Sequence, residues 1–154
     1  MYSNLRDILN YLSNNNRLVR VKSPVDPKFE LAGIAARFEG TDKAVLFENV
    51  RGSTIPVLMG LYWSRSLLAE LYETTGLELP HYVSGKIRQW KETPQEHEWL
   101  PPSEAPVLAN TPELNLPALP IPTHAEKDGG PYIDAGVVVA KDPETGILNA
   151  SIQR

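Results

Sequence analysis

Residues 128–154 read DGGPYIDAGVVVAKDPETGILNASIQR, and this stretch decides the fold of the C-terminal part of the chain. Val137, Val138 and Val139 form a β-branched run of the kind that favours a strand. Lys141-Asp142-Pro143-Glu144-Thr145-Gly146 then supplies a turn, with Pro143 suited to its second position and Gly146 to a left-handed site. The chain returns over residues 147–154, where Leu148, Ala150 and Ile152 alternate with Asn149, Ser151 and Gln153. Side chains of a strand point alternately to its two faces, so the spacing predicts a hairpin with one apolar face and one face of amides and a hydroxyl.

That polar row has chemical uses. Amide and hydroxyl groups can hydrogen-bond the phosphate and ribityl oxygens of a nucleotide-like cofactor, and the Asn149 carbonyl oxygen is a hard ligand suited to Mg²⁺ or Mn²⁺. Arg154 ends the row with a planar fork for phosphate or carboxylate. The same alternation also fits a strand whose polar face is simply solvated. Upstream, Gly129 and Gly130 permit positive φ and a close backbone approach to a ligand, although Gly-Gly-Pro equally fits a structural bend.

Before the hairpin, nine of the fourteen prolines lie between Pro94 and Pro131. Each lacks a backbone donor and biases its predecessor to extended geometry, so the stretch cannot continue a helix or a central strand. Val107, Leu108, Leu114, Leu116, Leu119 and Ile121 offer apolar anchors, so an ordered, extended crossing that leans on both flanking regions is expected rather than a tether.

The N-terminal region alternates helical and strand periods. Leu5, Ile8, Leu9 and Leu12 predict a helix capped by Ser3 or Asn4 and ended by Asn14, Asn15 and Asn16. A strand over residues 18–21 follows. Asp26 and Pro27 read as N-cap and first residue of a second helix, with Leu31, Ile34, Ala35 and Phe38 on one face and Gly40 as its stop. Residues 44–47 and 55–59 predict two strands, the first apolar throughout and so buried on both faces. Ser64 caps a third helix bearing Leu67, Leu68, Leu71 and Tyr72, and Val83, Ile87 and Trp90 mark a fourth amphipathic segment running to Pro94. His81 and His97 have no His or carboxylate at metal-ligand spacing on a shared element, and Glu96, His97 and Glu98 read as solvated surface. Trp63, Trp90 and Trp99 read as packing residues or lids.

Composition narrows the function. The 154 residues carry 15 Lys plus Arg against 19 Asp plus Glu, a net charge of −4, with no basic block, so a nucleic-acid or anionic-membrane surface is not expected. No cysteine is present, which removes disulfides, thiolate nucleophiles and cysteine-bound metals and favours a cytoplasmic location. Neither a signal peptide nor an apolar run long enough to span a bilayer is visible.

Four strings in order, Thr123-His124, DGGPYI from Asp128, DPETG from Asp142 and NASIQR from Asn149, resemble the N-terminal half of the UbiD family of decarboxylases. LVRVKSPVDPKFE from Leu18 and LFENVRG from Leu46 extend the resemblance over essentially the whole chain. It implies an α/β (α+β) fold: a small N-terminal α/β domain at residues 1–93, a proline-rich connector at 94–122, and at 123–154 the first hairpin of a split β-barrel that binds the cofactor. It further implies a carboxy-lyase that reversibly decarboxylates an aromatic or α,β-unsaturated carboxylic acid with prenylated FMN, a divalent metal (Mn²⁺ or Mg²⁺) and often K⁺. By the same resemblance Asn149 matches the metal-ligating Asn, Ser151, Ile152 and Gln153 contact the cofactor, and Arg154 is the catalytic Arg and also touches the cofactor. Asp134 stands where such sequences more often carry Thr, which changes the polarity on the substrate side.

In that family the acidic residues flanking the Arg and further His and Glu metal ligands come later than Arg154. The 154-residue chain alone is therefore expected to be inactive, as the N-terminal portion of a decarboxylase. Its partners would be the acid substrate, a flavin prenyltransferase that supplies the cofactor, and either further copies of itself in a homo-oligomer or a chain that provides the missing C-terminal part. The alternative is a non-catalytic binding or assembly module that retains the fold.

Overall fold

Asn4 organises the first turn of backbone. Its side-chain oxygen accepts the Asp7 N–H at 3.0 Å, and helix α1 runs over Leu5–Asn14 as the apolar spacing predicts. Asn16 takes a positive φ of 56° and turns the chain into strand β1, Leu18–Val21. The structure, a computed structural model, describes residues 2, 4–94, 100–109 and 115–153.

Helix α2, Glu30–Ala36, begins later than the Asp26-Pro27 pair implies. The Asp26 carboxylate accepts the Lys28 N–H at 2.7 Å instead of capping a helix, and Glu30 accepts the Asp26 N–H at 2.8 Å. The reason is tertiary. Lys28 forms an isolated parallel bridge with Thr123, with Phe29 N–H donating to the Thr123 carbonyl at 3.0 Å and Thr123 N–H donating to the Pro27 carbonyl at 3.1 Å. Backbone groups committed to that bridge are not available to open a helix. Phe29 is left at φ 69°, ψ −42°, and Glu30 N–H returns to the Lys28 carbonyl at 2.8 Å, which closes a γ-turn of the strained hand.

Strand β2, Ala44–Phe47, is the centre of a three-stranded sheet of order β1-β2-β3, parallel to β1 and antiparallel to β3, Val57–Met59. All four β2 residues are buried, in line with their unbroken apolar run. Strand β3 is shorter than residues 55–59 because Pro56 has no N–H for the ladder. Val45 and Phe47 pack with Leu31 and Ala35 of α2, and Val25 and Val50 complete that core. On the opposite face Ala44 meets Leu12 of α1 and Leu67 and Leu71 of helix α3, Arg65–Leu71. Ser64 caps α3 by accepting the Leu67 N–H at 3.0 Å.

Trp63 is a packing residue. Its Nε1–H donates to the Lys43 carbonyl at 3.0 Å, and its ring covers Gly60, where a Cβ would lie 2.1 Å from a ring carbon. Trp90 behaves differently. Helix α4, Leu79–Glu92, forms as predicted, but Val83, Ile87 and Trp90 are exposed and border an open groove with Tyr72 and Tyr82. Helical periodicity sets which residues share a stripe and says nothing of whether an element of the same chain covers it.

Among the described residues, the connector holds three single-turn 3₁₀ helices, Pro102–Glu104, Pro106–Leu108 and Leu116–Ala118, where a wholly extended path is expected. Val107, Leu108, Leu116 and Leu119 are exposed, and Ile121 is half-buried. Leu114, the Glu96-His97-Glu98 triplet and Trp99 lie outside the described residues. No helix among the described residues is long and apolar enough to cross a membrane.

Candidate functional site

The hairpin forms as its alternation requires. Strand β4, Gly136–Lys141, pairs antiparallel with strand β5, Leu148–Gln153, from Gly136↔Gln153 to Lys141↔Leu148. Asp142 N–H donates to the Ile147 carbonyl at 2.9 Å, and the Asp142 carboxylate accepts the N–H groups of Glu144 and Thr145, each at 2.8 Å. Those two donors hold the Asp142 carboxyl below its ordinary pKa, because they bind only its charged form well. Gly146 sits at φ 72°, the left-handed site its position calls for.

Asn149, Ser151 and Gln153 share one face of β5, opposite Ala140, Val138 and Gly136. Gln153 Nε2–H donates to Ser151 Oγ at 3.0 Å, so two of the three are already oriented together. A Cβ on Gly136 would lie 3.0 Å from the Gln153 carbonyl oxygen, which accounts for glycine at the head of β4. Ile152 projects from the other face with Val137, Val139 and Leu148, and these apolar side chains are exposed. Arg154 lies outside the described residues.

The segment before β4 forms an open recess of about 410 Å³ lined by Asp128, Gly129, Gly130, Pro131 and Tyr132. The Asp128 carboxylate accepts the Ala125 N–H at 2.7 Å, and Tyr132 N–H donates to the Pro122 carbonyl at 3.2 Å. Gly129 and Gly130 do not adopt positive φ, contrary to one use of the pair, and a Cβ on either would meet nothing within 4 Å. What they leave is room beside the backbone.

One group of residues escapes the sequence patterns. The His124 ring stacks on Tyr132 with centroids 4.6 Å apart, and its Nε2 lies 3.6 Å from an Asp134 carboxylate oxygen. The Thr-His pair ahead of DGGPY and the unusual Asp134 are the only traces in the sequence, since no helix or strand period links the three.

These residues fit a phosphate-bearing cofactor in one respect: the Asn149, Ser151 and Gln153 row offers donors and acceptors on one face, with Asn149 and Gln153 exposed. They fit a metal only partly. Asn149 offers one hard oxygen, and among the described residues no three His, Asp or Glu side chains are grouped to hold an ion.

Together these features define a mixed α/β unit leading into an antiparallel hairpin with one polar face. Residues 9–84 match the 3-octaprenyl-4-hydroxybenzoate carboxy-lyase N-terminal domain, and residues 99–154 match the Rift-related domain of the same carboxy-lyases. The chain belongs to the UbiD family and corresponds to its N-terminal region. It is 53% identical over 99% of its length to the uncharacterised protein of the cooM 5′ region of Rhodospirillum rubrum, covering 33% of that protein. It is 38% identical over 97% of its length to an anhydromevalonate phosphate decarboxylase of Methanosarcina mazei, covering 32% of it. Among solved structures, an evolved dimeric form of the UbiD-class enzyme HmfF from Pelotomaculum thermopropionicum, in complex with prFMN, superposes with a TM-score of 0.81 at 34% identity, over 98% of this chain and 35% of that one. The chain thus spans about a third of the length of the relatives it matches.

Proposed function

We propose that the chain is the N-terminal portion of a UbiD-type carboxy-lyase that performs prenylated-FMN-dependent, reversible decarboxylation of an aromatic or α,β-unsaturated carboxylic acid. The observation that carries the reading is the row Asn149, Ser151, Gln153 on one face of β5, within the part of the chain that matches the family's Rift-related domain. The relative that acts, by its name, on anhydromevalonate phosphate supports an unsaturated acid as substrate.

In this reading residues 1–93 form the supporting domain, 94–122 the connector and 123–154 the first hairpin of the cofactor barrel. When bound, the prenylated flavin supplies the electron sink for breaking the bond to the carboxylate carbon. Asn149 would offer one oxygen to a Mn²⁺ or Mg²⁺ ion, and Ser151 and Gln153 would orient the cofactor by hydrogen bonds. Arg154 holds the substrate carboxylate with its planar fork. The remaining metal ligands and the acid that donates a proton come from residues outside this chain, so the 154 residues alone are expected to be inactive. The exposed apolar face of Val137, Val139, Leu148 and Ile152 supports the same need for more protein, because an isolated two-stranded hairpin is marginal in water. That face also favours a second reading, a non-catalytic module that docks on another chain through the hairpin.

The test is Asn149→Ala in the complete protein co-expressed with a flavin prenyltransferase. Loss of metal and flavin from the purified variant, measured by elemental analysis and absorbance, supports the reading; unchanged occupancy refutes the ligand role. Stoichiometric prenylated flavin together with decarboxylation by the 154 residues alone would show that the missing ligands are not needed.

A further inference from the structure

Helix α4 carries an apolar stripe that no other described element covers. Val83, Ile87 and Trp90 share one face of the helix and are 43%, 50% and 63% exposed. With Tyr72, Tyr82 and Lys86 they line an open groove of about 320 Å³, and the two tyrosine rings stand 5.6 Å apart along it. Neither core cluster of the N-terminal domain includes any of these side chains, so that core is complete without them. A contiguous apolar surface of this kind marks a contact with more protein.

Charge selects the kind of contact. At about 100° per residue, Lys86 stands roughly 60° to one side of the stripe and Lys91 roughly 80° to the other. The Lys86 ammonium lies 5.7 Å from the centre of the Tyr82 ring, which keeps it at the rim of the groove. Neither lysine joins an ion pair among the described residues, and Glu92, the one acidic residue of α4, lies on the opposite face. A helix bearing Lys86, Arg88 and Lys91 thus stands out on a chain whose net charge is −4. The same face of a second copy is a poor match. Antiparallel packing sets each lysine against its own counterpart and parallel packing sets Lys86 against Lys91, so like charges meet either way. Any other face of a second copy makes a head-to-tail contact that leaves both outer surfaces open. The complement of this stripe is an apolar stripe flanked by carboxylates.

We propose that this face is the docking surface for an acidic amphipathic helix from the part of the same protein that follows residue 154. Its apolar side chains would enter the groove between Tyr72 and the Val83, Ile87 and Trp90 stripe, and its Asp or Glu side chains would meet Lys86 and Lys91. The inference rests on the reading of these residues as the N-terminal portion of a longer carboxy-lyase, the relatives it matches being about three times as long. A segment tethered to the same chain reaches the groove at about millimolar effective concentration, so a modest surface suffices to hold it.

The complete protein is treated with a water-soluble carbodiimide, which joins a lysine to a carboxylate only where the two touch, and is then digested for mass spectrometry. Isopeptides from Lys86 or Lys91 to an Asp or Glu beyond residue 154 of the same chain are expected, and mixed ¹⁴N/¹⁵N preparations separate contacts within one chain from contacts between copies. Links to a second copy, links confined to residues 1–154, or no link from either lysine overturns the proposal, as does a reading frame that ends at residue 154. Hydroxyl-radical labelling supplies a second measurement. Trp90 should label slowly in the unmutated complete protein and severalfold faster in Ile87→Asp, a change at an exposed position outside the core. Equal labelling of Trp90 in the two proteins overturns the docking. Neither measurement depends on bound flavin, so the docking can fail while the carboxy-lyase reading stands, and unchanged flavin in Asn149→Ala leaves the cross-links to decide the docking.

Discussion

Lys28 and Thr123 lie side by side in a parallel β-bridge that stitches the N-terminal domain to the segment leading into the β4–β5 hairpin. The bridge forces Phe29 into a γ-turn at φ 69° that side chains rarely adopt. Phe29→Gly relieves that strain and Phe29→Ala does not, although both remove the same ring. Phe29→Gly is therefore expected to be the more stable of the two by about 1 kcal/mol, the reverse of the order at an ordinary position. Thermal unfolding of the two variants checks it; equal stability would mean that the turn carries no strain.

Phe47 is fully buried at the centre of the sheet, against α2. Phe47→Ala should cost about 3–5 kcal/mol through lost transfer energy and the cavity it leaves. That is a large share of the total stability of a small domain, roughly 5–15 kcal/mol. Denaturant unfolding with an unchanged slope and a lowered midpoint is the expected result.

Tyr11 donates its hydroxyl to Glu70 at 2.7 Å, and Arg17 grips the other oxygen of the same carboxylate at 2.8 Å. The hydrogen bond to Glu70, with burial and the nearby negative charge adding to it, pushes the Tyr11 phenol up to about 12 from 10.0. A raised value in the folded state means that this contribution is fully present below pH 10 and fades as pH rises through about 12. In an absorbance titration a phenolate should appear only near pH 12, and Tyr11→Phe should remove it. The same change should cost about 1 kcal/mol at neutral pH, since Glu70 keeps its arginine.

The Asp142 carboxylate holds the hairpin turn through the N–H groups of Glu144 and Thr145. Its folded value lies below the ordinary 3.8, so the stabilisation is complete above that pH and is lost as pH falls through the depressed value. Amide exchange at Glu144 and Thr145, compared at equal intrinsic rates, should show protection falling only in that acid range. Asp142→Asn, which keeps an acceptor, should retain the turn at neutral pH, and Asp142→Ala should open it. Equal protection in both variants would show that the carboxylate is not what closes the turn.

The sequence alone carries everything that depends on neighbours along the chain. Asn4 and Ser64 cap their helices, the apolar run of residues 44–47 forms a strand buried on both faces, and the two-residue period of β5 places Asn149, Ser151 and Gln153 together. Each follows from backbone geometry and side-chain direction within a few residues. Contacts between distant segments are a different matter. The late start of α2, the γ-turn at Phe29 and the approach of His124 to Asp134 all arise where the chain near residue 123 returns to the N-terminal domain. Local propensity at Asp26 and Pro27 favours an earlier helix, and two interchain-like backbone hydrogen bonds to Thr123 outweigh it. No spacing rule could have announced that, because the energy deciding it belongs to a pairing that exists only once the fold has brought both segments together.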